Sequence, residues 1–166
     1  MKTKNIAVAA LVCAAATLQN LAAPSGTAQN GDNAMNRIND LLTASKAFFL
    51  ATADGDQPKL RPLGAHFEMD GKVLFGVGDF KDVYKQLLAN PKTEIVACKE
   101  NGHWLRYTGK AVFETDPKYM EAALEAMPTL KRIYNEETGF KMMMFHLEDA
   151  TAVKIAMMGE GENMLE

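Results

Sequence analysis

Clustered basic residues and long apolar runs are both scarce in this sequence. The net charge is −3, and the arginines number only four, at Arg37, Arg61, Arg106 and Arg132. Because no basic stripe is present, the sequence argues against a nucleic-acid partner. The main apolar run, Ile6–Leu18, has 13 residues, whereas a helix that crosses a bilayer needs about 20. The sequence therefore predicts no stable membrane span.

The sequence also lacks the common catalytic motifs. It contains no Ser-His-Asp spacing, no glycine loop of the kind that cradles phosphates, and no zinc signature. If the protein performs chemistry, a bound cofactor must therefore supply it.

Methionine is the one candidate metal ligand that occurs as a cluster. Met142, Met143 and Met144 lie near His146, and thioether ligands suit Cu(I). Neighbouring residues of a strand point to opposite faces, so three consecutive methionines cannot all reach one ion. We expect these side chains to pack in the core and expect no metal site.

The N-terminus has the features of an export signal. Lys2 and Lys4 precede the uncharged run Ile6–Leu18, and small residues follow, which is the pattern of a signal peptide. Cleavage is plausible after Ala23 or Ala28, and the second site is preferred because a proline would follow the first. We predict that residues 1–28 are removed and that the product is periplasmic or extracellular.

Cysteine is too scarce in the processed chain to form an intrachain disulfide. Removal of residues 1–28 leaves Cys98 alone. Because Cys98 lies in an apolar strand pattern, we expect it to be a buried small side chain.

The rest of the chain has the pattern of one small β-rich domain over residues 34–158. A linker is expected at 29–33 and a loose acidic tail at 159–166. Short runs that are apolar on one face and end at glycine turns predict a closed antiparallel barrel, because closure removes exposed strand edges. The predicted strands are Ala47–Ala53, Lys59–Met69, Lys72–Val77, Thr93–Lys99, His103–Glu114 and Met143–Ile155. Asp70-Gly71 predicts a two-residue hairpin turn, and the fifth strand alternates, with Leu105, Tyr107, Gly109, Ala111 and Phe113 on one face. The predicted helices are Ala34–Lys46, Phe80–Ala89 with Asp79 as its cap, Asp116–Met127 with Asp116 as its cap and Pro117 in its first turn, and, after a break at Pro128, Leu130–Asn135.

Two isolated cations stand at the ends of predicted elements. Arg61 lies in the second strand, and Lys81 lies at the start of a helix. A helix N-terminus attracts phosphate, and a guanidinium binds phosphate through two oxygens. Both residues are therefore candidates for an anionic cofactor, although a solvated surface charge is the alternative for each, and Lys85 is a rival to Lys81.

Four segments, taken in order, resemble the FMN-binding split barrels of the pyridoxamine 5′-phosphate oxidase-like family. They are FFLATADGDQPKLRPLGA, KDVYKQLLANPKTEI, HWLRYTGKAVFE and FHLEDATAVKI, which together span Phe48–Ile155. The resemblance implies a mainly β fold with a few helices, a six-stranded antiparallel split β-barrel. It also implies a homodimer with FMN at the interface.

The same resemblance assigns candidate cofactor-binding residues. The R-P-x-G stretch that faces the flavin corresponds to Arg61, Pro62, Leu63 and Gly64. The helix that meets the phosphate implicates Lys81, although many members carry this lysine at the position of Val83. The residue five before the glycine of T-G-K-A often contacts the ring, and here it is Trp104.

The resemblance leaves roles open for His66 and Tyr84. His66 is either a flavin neighbour or a polar residue on an exposed strand face. Tyr84 stacks on the cofactor or, as we prefer, packs as an ordinary helix residue.

The activity implied by the resemblance is oxidation or reduction of a small molecule, in a nitroreductase-like or similar way. The tryptophan and arginine region that pyridoxamine phosphate oxidases use on their substrate is not seen after Ile155, so we do not expect oxidation of vitamin B6. The alternative is a binding or electron-transfer module without turnover, which carries flavin or another flat cofactor such as haem or deazaflavin.

Overall fold

The computed structural model describes residues 28–45, 47–99 and 102–166, with side chains from residue 34 onward. The predicted signal peptide therefore lies almost entirely outside the described residues. Three α-helices are present in the described part: α1 (Ala28–Thr43), α2 (Asp82–Ala89) and α3 (Pro117–Ala126), with a short 3₁₀ helix at Pro128–Arg132. The strands are β1 (Phe48–Asp54), β2 (Gln57–Leu63), β3 (His66–Met69), β4 (Lys72–Gly78), β5 (Lys92–Cys98), β6 (Trp104–Phe113), β7 (Met142–Ile155) and β8 (Glu162–Asn163).

The strands form one curled antiparallel sheet in the order β2-β1-β5-β6-β7-β4-β3. The short strand β8 pairs with Val153 and Lys154 near the C-terminal end of β7. The long β6–β7 pair runs from Trp104 opposite Ile155 to Phe113 opposite Phe145, with a bulge between Thr108 and Lys110. The predicted fold class, a mainly β split barrel with a few helices, is confirmed. Among the described residues no ladder joins β2 to β3, so the sheet is not closed by hydrogen bonds at this point.

The described strands number eight rather than the predicted six, because one predicted strand is divided and the short strand β8 was not predicted. The run Lys59–Met69 changes partner at Gly64 and Ala65: β2 pairs with β1, whereas β3 pairs with β4. The amide of Gly76 donates to the carbonyl of Ala65 at 3.1 Å, which anchors the crossing. Alternation of apolar residues continues through such a crossing, and so the pattern does not reveal it.

The core lies in two clusters, one on each side of the β4–β7 region. The first lies between the inner sheet face and α1, and the alternation predicted for β6 is confirmed there, since Leu105 and Tyr107 are fully buried. The second lies beneath α3 and contains Met142 and Met144, whereas Met143 packs against the first cluster. The prediction that the methionines pack in the core is therefore confirmed.

The helix ends show which capping signals were decisive. Asp116 caps α3 as predicted, because its carboxylate accepts from the amide of Lys118 at 3.0 Å. Asp79 does not cap α2; its carboxylate accepts from the amide of Lys141 instead, and Lys81 takes the N-cap position. The predicted linker at 29–33 is helical, since α1 begins at Ala28. Once a helix has formed, each added residue contributes one more hydrogen bond, even in a polar segment.

Two further expectations are wrong. Cys98 is exposed, because it lies on the outward face at the end of β5. The segment 159–166 is not loose: β8 pairs with β7, and Met164 is only 3% exposed in the first core cluster. Apolar burial of one methionine holds an otherwise acidic tail in place.

Among the described residues, no helix is long and apolar enough to cross a membrane.

Candidate functional site

A cavity of about 330 Å³ opens beside the crossing from β2 to β3. It is lined by Pro62, Leu63, Gly64, Ala65, Gly76, Lys81, Met127, Thr129, Leu130, Tyr134 and Met142. Four of the six predicted cofactor-binding residues meet here: Pro62, Leu63, Gly64 and Lys81. The cavity thus joins the R-P-x-G stretch to the start of α2, two segments that are far apart in sequence.

Two glycines shape this cavity in different ways. A Cβ atom added at Gly64 would meet no atom within 4 Å, so this residue borders open space. A methyl group added at Gly76 would instead collide with the end of Met142 and crowd Ala65. Gly76 therefore permits close packing of the cavity floor, and Gly64 leaves room for a ligand.

Lys81 supplies the positive charge at this cavity. It is exposed and occupies the N-cap of α2, with an extended backbone at φ −86° and ψ 146°. Among the described residues it forms no ion pair, and its ammonium lies 5.8 Å from the centre of the Phe80 ring. Its rival Lys85 pairs with Asp82 at 3.6 Å and lines a different cavity. The structure therefore places Lys81, and not Lys85, at the candidate site.

Arg61 lies beside the cavity but does not line it. It points to the inner face of β2, where its guanidinium donates to the carbonyl of Leu50 at 3.2 Å, to the hydroxyl of Thr52 at 2.6 Å and to the amide oxygen of Gln86 at 2.8 Å. Burial lowers the pKa of Arg61 from its ordinary value, but a guanidinium stays charged in proteins. The half-buried cation is therefore fixed on the inner face of β2, one residue along the strand from Pro62, which does line the cavity.

Trp104 lies apart from the cavity of its own chain. It sits on the outward face of β6, opposite Cys98 of β5 and Ile155 of β7. The guanidinium of Arg106 lies 5.0 Å from the Trp104 ring centre and pairs with the carboxylate of Glu94 at 3.1 Å. A single chain does not bring Trp104 together with the other predicted residues.

His66 and Tyr84 also lie outside the cavity lining. The Nε2 atom of His66 lies 3.2 Å from the hydroxyl of Thr43, and its ring contacts Phe48 edge-on. Burial lowers the pKa of His66, and a contact with the backbone of Asn39 offsets part of this. Tyr84 packs edge-on against Phe113 at 4.9 Å, which confirms its predicted role as a packed helix residue.

No sequence pattern predicted the residues that form the far wall of the cavity. Met127, Thr129, Leu130 and Tyr134 come from the segment between α3 and β7. Tyr134 is 9% exposed, and its pKa is raised by burial and by the negative charge of Asp79. The helix break at Pro128 predicted a change in chain direction, but it did not predict that the residues after it would line the cavity.

Another polar cluster lies around Glu114 and His146, and His146 shares the face of β7 that carries Met142 and Met144. One carboxylate oxygen of Glu114 lies 2.7 Å from the ammonium of Lys72 and 2.7 Å from Nδ1 of His146, and His146 also approaches Glu148 at 3.4 Å. In the described part of the chain, no group of His, Cys, Asp and Glu has a geometry that could hold a metal ion. The cluster therefore links β4 and β7 to Glu114, the residue that follows β6.

Solved structures share this fold. A NimC/NimA family protein from Clostridium acetobutylicum is 33% identical, with a TM-score of 0.74 over 81% of this chain and 94% of that chain. A FAD-binding protein from Mesorhizobium loti is 15% identical, with a TM-score of 0.52 over 73% and 94% of the two chains. A haem-binding protein from Mycobacterium smegmatis is 14% identical, with a TM-score of 0.59 over 86% and 59%.

Sequence comparison leads to the same group. Among curated proteins, none matches this chain. Residues 34–157, however, match the sequence profile described as pyridoxamine 5′-phosphate oxidase. The chain belongs to the pyridoxamine 5′-phosphate oxidase family.

Proposed function

We propose that this protein is an exported, homodimeric FMN-binding protein that oxidises or reduces a small molecule by means of the flavin. The observation that carries the proposal is the cavity at which the open space beside Gly64 meets the lone cation Lys81. One wall of this cavity is apolar and one end is positive, which suits a flat ring that carries an anionic tail.

The positive end of the cavity favours a phosphate. Lys81 stands at the N-terminus of α2, where unpaired backbone N–H groups and the helix dipole attract anions. The cation of Arg61 lies one residue from Pro62 and has no carboxylate partner in the described part of the chain. These features support FMN over riboflavin, which lacks the phosphate.

The apolar wall favours a flat ring. Leu63, Leu130 and Met142 line it together with the buried Tyr134. The fold is shared with one protein described as FAD-binding and one described as haem-binding, so it accommodates flat cofactors in other chains. When bound, a flavin would supply the hydride or electron transfer for which the chain itself has no motif.

A second subunit would complete the site. The outward sheet face is apolar and exposed near the cavity: Phe49 is 38% exposed, Leu60 is 67% exposed, and Pro62 lies directly opposite Phe49 in the β1–β2 pair. Trp104 lies on the same outward face, two strands further along the sheet from β1. If a second copy covered this face, Trp104 of one subunit would approach the Pro62 edge of the other subunit's cavity.

The competing candidate is a flavin or haem carrier without turnover. It is supported by the haem-binding neighbour and by the cavity lining, in which Lys81 and Tyr134 are the only titratable side chains among the described residues. Oxidation of NAD(P)H by the flavin-loaded protein separates the two candidates: steady turnover supports the oxidoreductase, and its absence with every electron donor tested supports the carrier.

The flavin proposal is tested by titrating flavin-free protein with FMN and with riboflavin while following flavin fluorescence. We expect FMN to bind at least about tenfold more tightly. Gly64→Leu should weaken both flavins equally, because Gly64 lines the cavity and a Cβ atom added there meets no other atom within 4 Å. If neither flavin binds to the parent protein, the proposal fails; a visible spectrum of the purified protein with a haem band would then favour the carrier.

Export is tested in a bacterial host by mass spectrometry of the periplasmic fraction. We expect a new N-terminus between about Ala22 and Asn30, as small-residue cleavage sites imply. Recovery of full-length protein from the cytoplasm alone would contradict export.

A further inference from the structure

Two of the three buried polar residues in the described part of the chain converge on Arg61. Thr52 is 6% exposed and Gln86 is 8% exposed; the third, Thr93, is 6% exposed and contacts other groups. A buried polar side chain costs stability unless it is hydrogen-bonded. Thr52 and Gln86 meet this requirement by binding each other and Arg61.

The three side chains form a closed set of hydrogen bonds, here named the Arg61 network. The hydroxyl of Thr52 accepts from Arg61 at 2.6 Å and donates to the amide oxygen of Gln86 at 2.7 Å. The same amide oxygen accepts from Arg61 at 2.8 Å. Because β1, β2 and α2 each contribute one member, the guanidinium cannot turn without breaking contacts to two other elements.

The partners of Arg61 are all neutral. They are a backbone carbonyl, a hydroxyl and an amide oxygen. A half-buried cation is usually paired with a carboxylate, but no described carboxylate pairs with Arg61. The three bonds also use only three of the five N–H donors that a guanidinium carries. A full positive charge and two donors therefore remain for an anion.

The position of the network relates it to the cavity. Arg61 directly precedes Pro62, which lines the cavity. Gln86 lies on α2 and itself lines the separate cavity that contains Lys85, whereas the N-cap residue of the same helix, Lys81, lines the candidate cavity. The network thus joins the strand and the helix that bound the positive end of the cavity.

We propose that Thr52 and Gln86 are positioning residues that hold the Arg61 guanidinium for contact with the phosphate of a bound flavin. They touch Arg61 and not the ligand. This inference rests on the proposed function, and it adds two residues to which the sequence analysis assigns no role.

The test uses a variant that keeps the shape of the network but changes its charge. Gln86→Glu retains an acceptor for Arg61 and adds a negative charge that competes with the phosphate. We expect Gln86→Glu to weaken FMN at least about tenfold and riboflavin less than about twofold. Thr52→Val, which removes the hydroxyl at nearly constant volume, should also lower the ratio of FMN to riboflavin affinity.

Thr93→Val is the matched control. Thr93 is equally buried, and its hydroxyl donates to the carbonyl of Ala51 at 2.5 Å without contact to Arg61. It should lower stability as Thr52→Val does, yet leave the affinity ratio unchanged. A merely structural role for Thr52 and Gln86 would make all three variants alike in this ratio, and that result would overturn the inference.

A measurement without flavin separates this inference from the proposed function. NMR of the Arg61 side chain in flavin-free protein should show slow rotation of the guanidinium in the parent and in Thr93→Val, and faster rotation in Thr52→Val. Equal rotation in all three proteins would contradict the positioning role even if FMN binds. If the guanidinium is rigid but FMN and riboflavin bind equally, flavin binding stands and the phosphate contact is wrong. If neither flavin binds, the proposed function fails and the inference fails with it.

Discussion

At the scale of single residues, the candidate site depends on where three cations lie. Lys81 lines the cavity, Arg61 lies beside it in a hydrogen-bonded network, and Lys85 pairs with Asp82 elsewhere on α2. We therefore expect Arg61→Ala to weaken FMN at least about tenfold, since loss of a charge-assisted contact costs roughly 1.5–3 kcal/mol. Riboflavin affinity should hardly change.

In the same flavin titration, Lys81→Ala should weaken FMN less than Arg61→Ala, because an exposed lysine adds a point charge rather than a bidentate contact. Lys85→Ala is the control and should bind FMN like the parent. Circular dichroism confirms that each variant is folded. Should Lys85→Ala lose FMN while Arg61→Ala retains it, the residue assignment is wrong although the family stands.

His66 makes the stability of the fold depend on pH. Burial lowers its pKa below the ordinary 6.5, so the unfolded chain takes up a proton more readily than the folded protein. Stability from the neutral imidazole is complete above about pH 6.5 and is lost as the pH falls below it. Urea unfolding at about pH 7.5 and about pH 5.5 should show a smaller loss in His66→Gln than in the parent. An equal loss in both proteins would show that His66 does not titrate in this way.

At the scale of elements, the C-terminal segment behaves as part of the barrel. Met164 is buried in the first core cluster, and its amide donates to the carbonyl of Ala152 at 2.7 Å. Nearby, the carboxylate of Glu162 binds Arg37 of α1 at 2.6 Å and Lys154 of β7 at 2.9 Å. The segment therefore links α1 to the sheet.

Met164→Ala should lower the free energy of unfolding by about 2–5 kcal/mol, as truncation of a buried methionine does. Met158→Ala is the matched control: Met158 is 93% exposed, and its truncation should change stability by less than about 0.5 kcal/mol. Urea denaturation of both variants gives the comparison. Similar stabilities would mean that the segment is not held by the core in solution.

The elements also show how far sequence reasoning reaches. Turn signals such as Asp70-Gly71 and the Asp116-Pro117 helix start have local causes, and the structure has both where the sequence predicted them. The division of Lys59–Met69 into β2 and β3 depends on which strand each half pairs with, and the burial of Met164 depends on a core built from distant segments. Tyr134 reaches the cavity for the same reason. Contacts between segments that are distant in sequence produce no local sequence pattern from which they could be predicted.

At the scale of the whole molecule, we propose that one chain supplies only part of the cofactor site. Its cavity of about 330 Å³ is at the lower end of the range for ligand sites, and Trp104 lies outside it on the outward sheet face. The proposed homodimer, with the cofactor at its interface, would account for both facts. The exposed apolar side chains of that face, Phe49 and Leu60, are then the natural contact surface.

We therefore expect the protein to be a dimer at micromolar concentration when FMN is present, as measured by light scattering. Leu60→Asp puts a charge on the outward face, where Leu60 is 67% exposed, and should yield monomers with weaker binding of both flavins because the second half of the site is lost. Leu88→Asp is the matched control: Leu88 is 59% exposed but lies on α2, so this variant should remain dimeric and bind FMN like the parent. A monomeric parent with FMN bound would show that one chain suffices, and Trp104 would then have no part in the site.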